Sequence, residues 1–258
     1  MSTIIYFSGT GNSYHIAKKI SQHQNAKLIS ASDFEGTSIS DDTIGIVTPV
    51  YCGGLPPIMY DFLKRVILRS RYIWAIAASG GTVGNAFETI NDILQYNEGK
   101  LRFAEMILMP DNSILTRPKK EDTLSALENE ERLVNEIIPY IDAKTENEYP
   151  VEKFLGKTSK VQWMSMKWVF RCNDKRVDKK TCTDCGICVD ICPLENINST
   201  NNKIKIGKNC TNCFACIHWC PTKSIRAGFI KAGDRFKYTH PDVNATELFK
   251  KKKAIKGV

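Results

Sequence analysis

Eight of the ten cysteines in this 258-residue chain fall in one stretch, from Thr181 to Pro221. Cys182, Cys185, Cys188 and Cys192-Pro193 form a Cys-x2-Cys-x2-Cys-x3-Cys-Pro run, and Cys210, Cys213, Cys216 and Cys220-Pro221 repeat it 28 residues later. Three thiolates at two-residue steps wrap a tight loop around one corner of an iron–sulfur cube. The fourth cannot turn back far enough and reaches the other cube, the ligand exchange that goes with this spacing. The expected ligands are therefore Cys182, Cys185, Cys188 and Cys220 for cluster one, and Cys210, Cys213, Cys216 and Cys192 for cluster two. Structural zinc usually takes two Cys pairs separated by a longer loop. Disulfides need an oxidising compartment, and no feature of the sequence routes the chain to one.

The stretch from about Lys179 to Gly228 resembles bacterial two-cluster ferredoxins. The resemblance implies a small α+β module holding two [4Fe–4S] clusters.

The N-terminal half carries a different pattern. Thr3 to Phe7 is a short apolar strand, followed by Ser8-Gly9-Thr10-Gly11-Asn12-Ser13 and a helical run to about Gln22. A strand, a Gly/Ser/Thr turn and a helix make a phosphate cradle, because glycines let the backbone approach and N–H groups point at the anion. No Gly-Lys-[Ser/Thr] follows and the third Gly of Gly-x-Gly-x-x-Gly is missing, so neither nucleotide-loop pattern applies. With no Lys or Arg in the loop, dipoles and the hydroxyls of Ser8, Thr10 and Ser13 must hold the anion. Residues 27–32 read as a second strand, Asp42 to Val50 as a third, Tyr72 to Ser79 as a fourth and Leu101 to Met109 as a fifth. The third is nearly continuous in apolar residues, as in parallel strands buried on both faces. A helix from about Lys120 to Ala143 carries Leu124, Leu127, Leu133, Val134, Ile137 and Ile138 at helical spacing.

The first loop resembles the FMN phosphate loop of flavodoxins, and the order of βα units resembles their fold over residues 1–145. The resemblance implies a doubly wound α/β domain, its parallel five-stranded sheet in the order 2-1-3-4-5, with flavin at the carboxyl ends of strands one and three. It assigns the phosphate to residues 8–13 and a second contact to Pro49, Tyr51, Cys52, Gly53 and Gly54. Tyr51 would stack on the isoalloxazine, and Gly53 or Gly54 would offer a carbonyl to flavin N5. A third contact falls on Ser79, Gly80, Gly81, Thr82, Gly84 and Asn85, reading the pyrimidine edge through backbone N–H groups. At the end of the fifth strand, Ser113 stands after Met109-Pro110-Asp111-Asn112 where the family more often has an aromatic.

Together the two patterns resemble the flavodoxin–ferredoxin fusion proteins of anaerobes. The expected layout is a flavin domain at 1–145, an apolar connector at 146–178, a two-cluster module at 179–228 and a basic tail at 229–258. In the connector, Trp163, Met164, Met166, Trp168, Val169 and Phe170 are too apolar for a free linker. They either pack the two modules together, the favoured reading, or roof the flavin. The tail, with Lys250 to Lys253 and Lys256, reads as a frayed, solvated end. Cys52 and Cys172 lie outside the cluster motifs; Cys52 reads as a small apolar filler ahead of a reactive thiol. His15 and His218 show no visible partner in the sequence.

Charge is uneven. Residues 1–150 hold 14 Lys/Arg against 19 Asp/Glu, and residues 151–258 hold 22 against 9. A basic C-terminal half fits an acidic-faced redox partner or a merely solvated surface. No nucleic-acid motif, haem-attachment motif or second nucleotide fold accompanies it. The N-terminal apolar run is too short for a signal peptide, and no stretch approaches the roughly 20 apolar residues of a membrane helix. A cytoplasmic protein with redox partner proteins, a low-potential donor and an acceptor enzyme, is expected. Two function classes stay open: an electron carrier, and an FMN-dependent reductase of a small molecule fed by the clusters. An oxygen-reporting redox sensor is a third.

Overall fold

The computed structural model describes residues 1–114, 119–150, 158, 161, 162, 164, 165, 172–201, 203–228 and 237–248. Contacts divide the chain into two compact units. The first takes Met1–Ser8, Asn12–Asp111 and Pro118–Gln162; the second takes Gly9–Gly11, Asn112–Arg117 and the chain from Trp163 onward.

In the first unit β1 (Ser2–Tyr6), β2 (Lys27–Ser30), β4 (Thr43–Pro49), β6 (Tyr72–Ser79) and β7 (Leu101–Leu108) form one parallel sheet in the order β2-β1-β4-β6-β7. This is the expected 2-1-3-4-5 order of a flavodoxin-like sheet. Two further strands, β3 (Ser38–Ser40) and β5 (Ile67–Arg69), pair parallel in a separate ribbon that the sequence reading did not anticipate. Each has three residues, alternating exposed and buried, too short for the period-2 signal to stand out. Helices α1 (Asn12–Gln24), α2 (Pro57–Arg65), α3 (Ala86–Tyr96) and α4 (Lys120–Asp142) supply the crossovers and the final cover. Pro57 sits at the first turn of α2, where its missing N–H has no intrahelical partner to lose.

The central strands are buried throughout, which is why they read as unbroken apolar runs. Every residue of β4 and of β6 is buried. Trp74 on β6 is the largest fully buried side chain, and Gly45, its partner on β4, leaves the room its ring occupies. A Cβ at Gly45 would run into that ring. Gly45→Ala is therefore expected to destabilise the first unit by about 1–3 kcal/mol, the usual cost of overpacking. A fall in urea midpoint by far-UV circular dichroism would register it, and an unchanged midpoint would mean that the ring moves aside.

The second unit is built from short pieces. β8 (Lys175–Val177) pairs antiparallel with β11 (Ile225–Ala227), and β9 (Ile197–Ser199) with β10 (Ile204–Ile206). One-turn helices α5 (Ile187–Asp190) and α6 (Ala215–His218) follow left-handed residues Gly186, at φ 78°, and Phe214, at φ 55°. Residues 237–248 are folded, not frayed, and end in α7 (Ala245–Leu248). His240, Val243 and Leu248 are buried, and the His240 amide donates to the Thr10 carbonyl at 2.8 Å. Two apolar anchors, Val243 and Leu248, and a backbone hydrogen bond hold this segment in place. Lys250 to Lys253 and Lys256 lie outside the described residues, as do Trp163, Met166, Trp168, Val169 and Phe170 of the connector. Met164 is exposed. Among the described residues no helix is long and apolar enough to cross a membrane.

Candidate functional site

The eight motif cysteines gather into two sets of four. One cavity is lined by Cys182, Cys185, Cys188 and Cys220, and another by Cys192, Cys210, Cys213 and Cys216. The fourth cysteine of each run has crossed to the other set. The two cavities are of matching size, each about 20 Å³. Burial pushes the Cys188 and Cys213 thiols up to about 12, and the Cys216 thiol well above its ordinary value. Neighbouring cysteines of the same set push in the same direction: Cys220, Cys185 and Cys182 on Cys188, and Cys213, Cys210 and Cys192 on Cys216. Without a cation these groups are neutral thiols, and iron is what turns them into thiolates. Thr211 Oγ1, buried on the wall of the second cavity, has no hydrogen-bond partner among the described residues, which also fits a cavity meant to be filled.

Backbone amides point at the ligand sulfurs in matched pairs. Asn196 N lies 3.3 Å from Cys192 Sγ, and Ser224 N lies 3.3 Å from Cys220 Sγ. These positions are 28 residues apart, so the repeat in sequence is a repeat in hydrogen bonding.

The three loops assigned to flavin leave the carboxyl ends of β1, β4 and β6, adjacent strands of one parallel sheet. Ser13, at the start of α1, is 1% exposed, and its hydroxyl has no partner among the described residues. A buried, orphaned hydroxyl at a helix start is what a phosphate oxygen would satisfy. Tyr51 and Gly54 exchange backbone hydrogen bonds of 2.9 and 3.0 Å around Cys52 (φ 51°) and Gly53 (φ 72°), a turn with two left-handed central residues. The Tyr51 ring meets Phe7 edge-on, centroids 6.4 Å apart. Gly53 O accepts from Asn85 N at 2.9 Å, which joins the second loop to the third. Gly84 is obligatory there, since a Cβ would collide with that same carbonyl and its φ is +51°. The Gly53 and Gly54 carbonyls are thus both engaged, and each keeps one lone pair for a ligand. In the third loop Ser79 Oγ donates to the Thr82 carbonyl and accepts from Thr82 N at 3.2 Å. Gly80 backs onto Asp111, too close for a Cβ. Pro49 ends β4, and Cys52 is half-buried.

Within the second unit the tip of the phosphate loop has its own partners. Thr10 Oγ1 accepts from Asn112 Nδ2 at 2.5 Å, which leaves its proton to donate outward. Gly9 O accepts from the indole N–H of Trp219 at 2.9 Å. Trp219 lies between Cys216 and Cys220, cysteines that line different cavities. Its neighbour His218, 1% exposed, donates from Nε2 to Asn112 O (2.9 Å) and accepts at Nδ1 from Tyr238 N (3.0 Å). A position without a visible partner in the sequence is thus a fully bonded buried histidine.

A flavodoxin-domain family matches residues 3–102, and a 4Fe-4S dicluster-domain family matches residues 174–222. The chain joins a flavodoxin domain to a 4Fe-4S dicluster domain. Similar solved structures include the two-electron reduced flavodoxin of Megasphaera elsdenii, 19% identical, covering 49% of this chain and 97% of that one at a TM-score of 0.35. A flavoprotein from Lactobacillus acidophilus in complex with FMN is 18% identical, covering 41% and 91% at 0.31. A flavodoxin from the domain Archaea is 16% identical, covering 55% and 98% at 0.33. No curated protein matches the chain. The two domains give the chain a redox, electron-transfer role with flavin and iron–sulfur chemistry.

Three residues of the site escaped the sequence reading. Asn112 sits in a loop at a strand end on the flavin side of the sheet, which was the available signal. Trp219 and Lys175 had none on their own, although each lies within seven residues of a motif cysteine.

The cysteine exchange makes a pairwise prediction. Cys220→Ser is expected to lose the same cluster as Cys185→Ser, and Cys192→Ser the same one as Cys213→Ser, by iron content and electron paramagnetic resonance of the remaining cluster. Pairing by sequence run would overturn the sets. In the flavodoxin domain Ser13→Ala is expected to weaken FMN binding by about 1.5–3 kcal/mol, the range for a hydrogen bond to a charged group. Fluorescence titration of the flavin measures it, and unchanged affinity would remove Ser13 from the cradle.

Proposed function

We propose that this protein passes single electrons between two [4Fe–4S] clusters and a bound FMN, linking a low-potential donor to a partner redox enzyme in the cytoplasm. Iron–sulfur clusters exchange one electron at a time and FMN takes one or two, so a chain holding both can gather a pair or split one. The observation that carries this reading is Trp219. Flanked by Cys220 and three residues from Cys216, it donates its indole N–H to the carbonyl of Gly9 in the phosphate loop. One rigid side chain thereby ties the cluster cysteines to the loop proposed to hold the flavin phosphate. Ser8, Thr10, Ser13 and the start of α1 bind the phosphate. Tyr51 covers one flavin face, and the loop from Ser79 to Asn85 meets its polar edge. The 22 Lys/Arg against 9 Asp/Glu in residues 151–258 suit a partner with an acidic face.

A reductase acting on a small molecule is the second reading, and one cleft favours it. It runs in the first unit from Gly80 past Met109 and Asp111 to Asp122, Asn129 and Arg132 on α4, with polar groups of both signs. An anaerobic reductive titration of the full chain separates the two. The proposed carrier contains about eight iron atoms and one FMN, takes up electrons in single steps, and reacts slowly with small organic oxidants. About four iron atoms would end the two-cluster reading. Rapid two-electron turnover of a small oxidant, lost in Arg132→Ala, would instead establish the reductase.

A further inference from the structure

The two cluster cavities repeat each other closely enough that their differences stand out. The amides on Cys192 and Cys220 match at 3.3 Å. The side chains two residues after each leading cysteine correspond in distance but not in charge: the Asp184 carboxylate Oδ1 lies 3.7 Å from Cys182 Sγ, and the neutral Asn212 Oδ1 lies 3.7 Å from Cys210 Sγ. Groups common to both sites shift both clusters alike and cannot make one differ from the other.

Lys175 breaks the symmetry. It is 7% exposed, and its ammonium donates to Cys210 Sγ at 3.0 Å, to Asn212 Oδ1 at 2.9 Å and to Cys172 O at 2.8 Å. All three of its protons are therefore used, as an ammonium requires. It also lies 4.9 Å from the centre of the Phe214 ring. Phe214 holds a left-handed backbone, at φ 55°, that a bulky side chain seldom adopts. The equivalent position 28 residues earlier is Gly186, which adopts it freely and has no ring. The residue equivalent to Lys175 is Lys203, and it is exposed. Among the described residues no ammonium reaches Cys182; its neighbour at that spot is the exposed carboxylate of Asp184.

The geometry points to Lys175 as the residue that sets the two clusters at different reduction potentials, making the one held by Cys210, Cys213, Cys216 and Cys192 the easier to reduce. The inference rests on the two-cluster reading above. Reduction adds one electron to the cluster and its thiolates, and a buried positive charge 3.0 Å from a ligating sulfur favours that more negative form. On the other cluster, Asp184 acts in the opposite direction, but water screens an exposed carboxylate. The Thr222 hydroxyl lies 3.7 Å from Cys220 Sγ and also bonds Ser224 at 2.8 Å. It is a neutral and longer contact, and a charge-assisted hydrogen bond is roughly twice as strong as a neutral one. The ammonium therefore decides the order. An electron entering the pair comes to rest on the Lys175 side, and the other cluster is the uphill step.

A redox titration of the anaerobic full-length holoprotein, followed by electron paramagnetic resonance, tests this. Two midpoint potentials are expected. In Lys175→Met only the upper one falls, by at least tenfold in the reduced-to-oxidised ratio, which is about 59 mV for one electron. Lys175→Arg keeps the upper potential near its original value. Asn212→Asp, which places a carboxylate against both that sulfur and the Lys175 ammonium and so offsets the positive charge, lowers it too. Movement of the lower potential, or of neither in both Lys175→Met and Asn212→Asp, would overturn the assignment. Iron content is read separately. About four iron atoms in the unmodified protein would sink the two-cluster reading, whereas about eight with an unmoved upper potential would sink only the role of Lys175.

Discussion

Thiols packed away from water do not ionise by themselves. Burial pushes the Cys188 and Cys213 thiols up to about 12, so a charge on either of them calls for a cation beside it. The second unit depends on this constraint. Its strands have three residues each and its two cluster helices one turn, so its buried side chains, such as Ile191, Ile217 and Ile225, are held by little regular structure. Each motif places three cysteines on one cavity and sends the fourth to the other, so filling either site ties both halves of the module together.

The first unit is held in the opposite manner. Its stability lies in β4 and β6, buried along their whole length, and in the Trp74 ring laid over Gly45. The polar work is moved to loops at one end of a parallel sheet, where backbone groups are not committed to the ladder. Close approach there is fixed by glycine. Gly84 lets the loop after β6 touch the Gly53 carbonyl, and Gly80 lets it lie against Asp111. A rigid apolar sheet thus carries an edge of hydroxyls and amides, with Ser13 Oγ left unsatisfied.

The second unit includes Gly9–Gly11, the tip of the loop after β1. The Trp219 indole, the Asn112 amide and the His240 backbone hold that tip. None of these is a cluster ligand, yet Trp219 lies between two of them in sequence.

The sheet order came with the resemblance to flavodoxins, while the amino-acid sequence by itself determined the principal strands, the loops that follow them and the exchanged cysteine sets. Those depend on local pattern: apolar runs long enough to be seen, glycines at turns, and thiols at a spacing that one cluster imposes. Tertiary structure alone decided the rest. The ribbon of β3 and β5 is too short to leave a periodic trace. Residues 237–248 look like part of a loose tail until His240 and Val243 are seen against Gly11. Lys175 reads as one more surface lysine in Asp-Lys-Arg-Val, and folding brings its ammonium to a sulfur 35 residues away. A charge takes its meaning from burial and from what lies within about 3 Å, and neither is written in the order of residues.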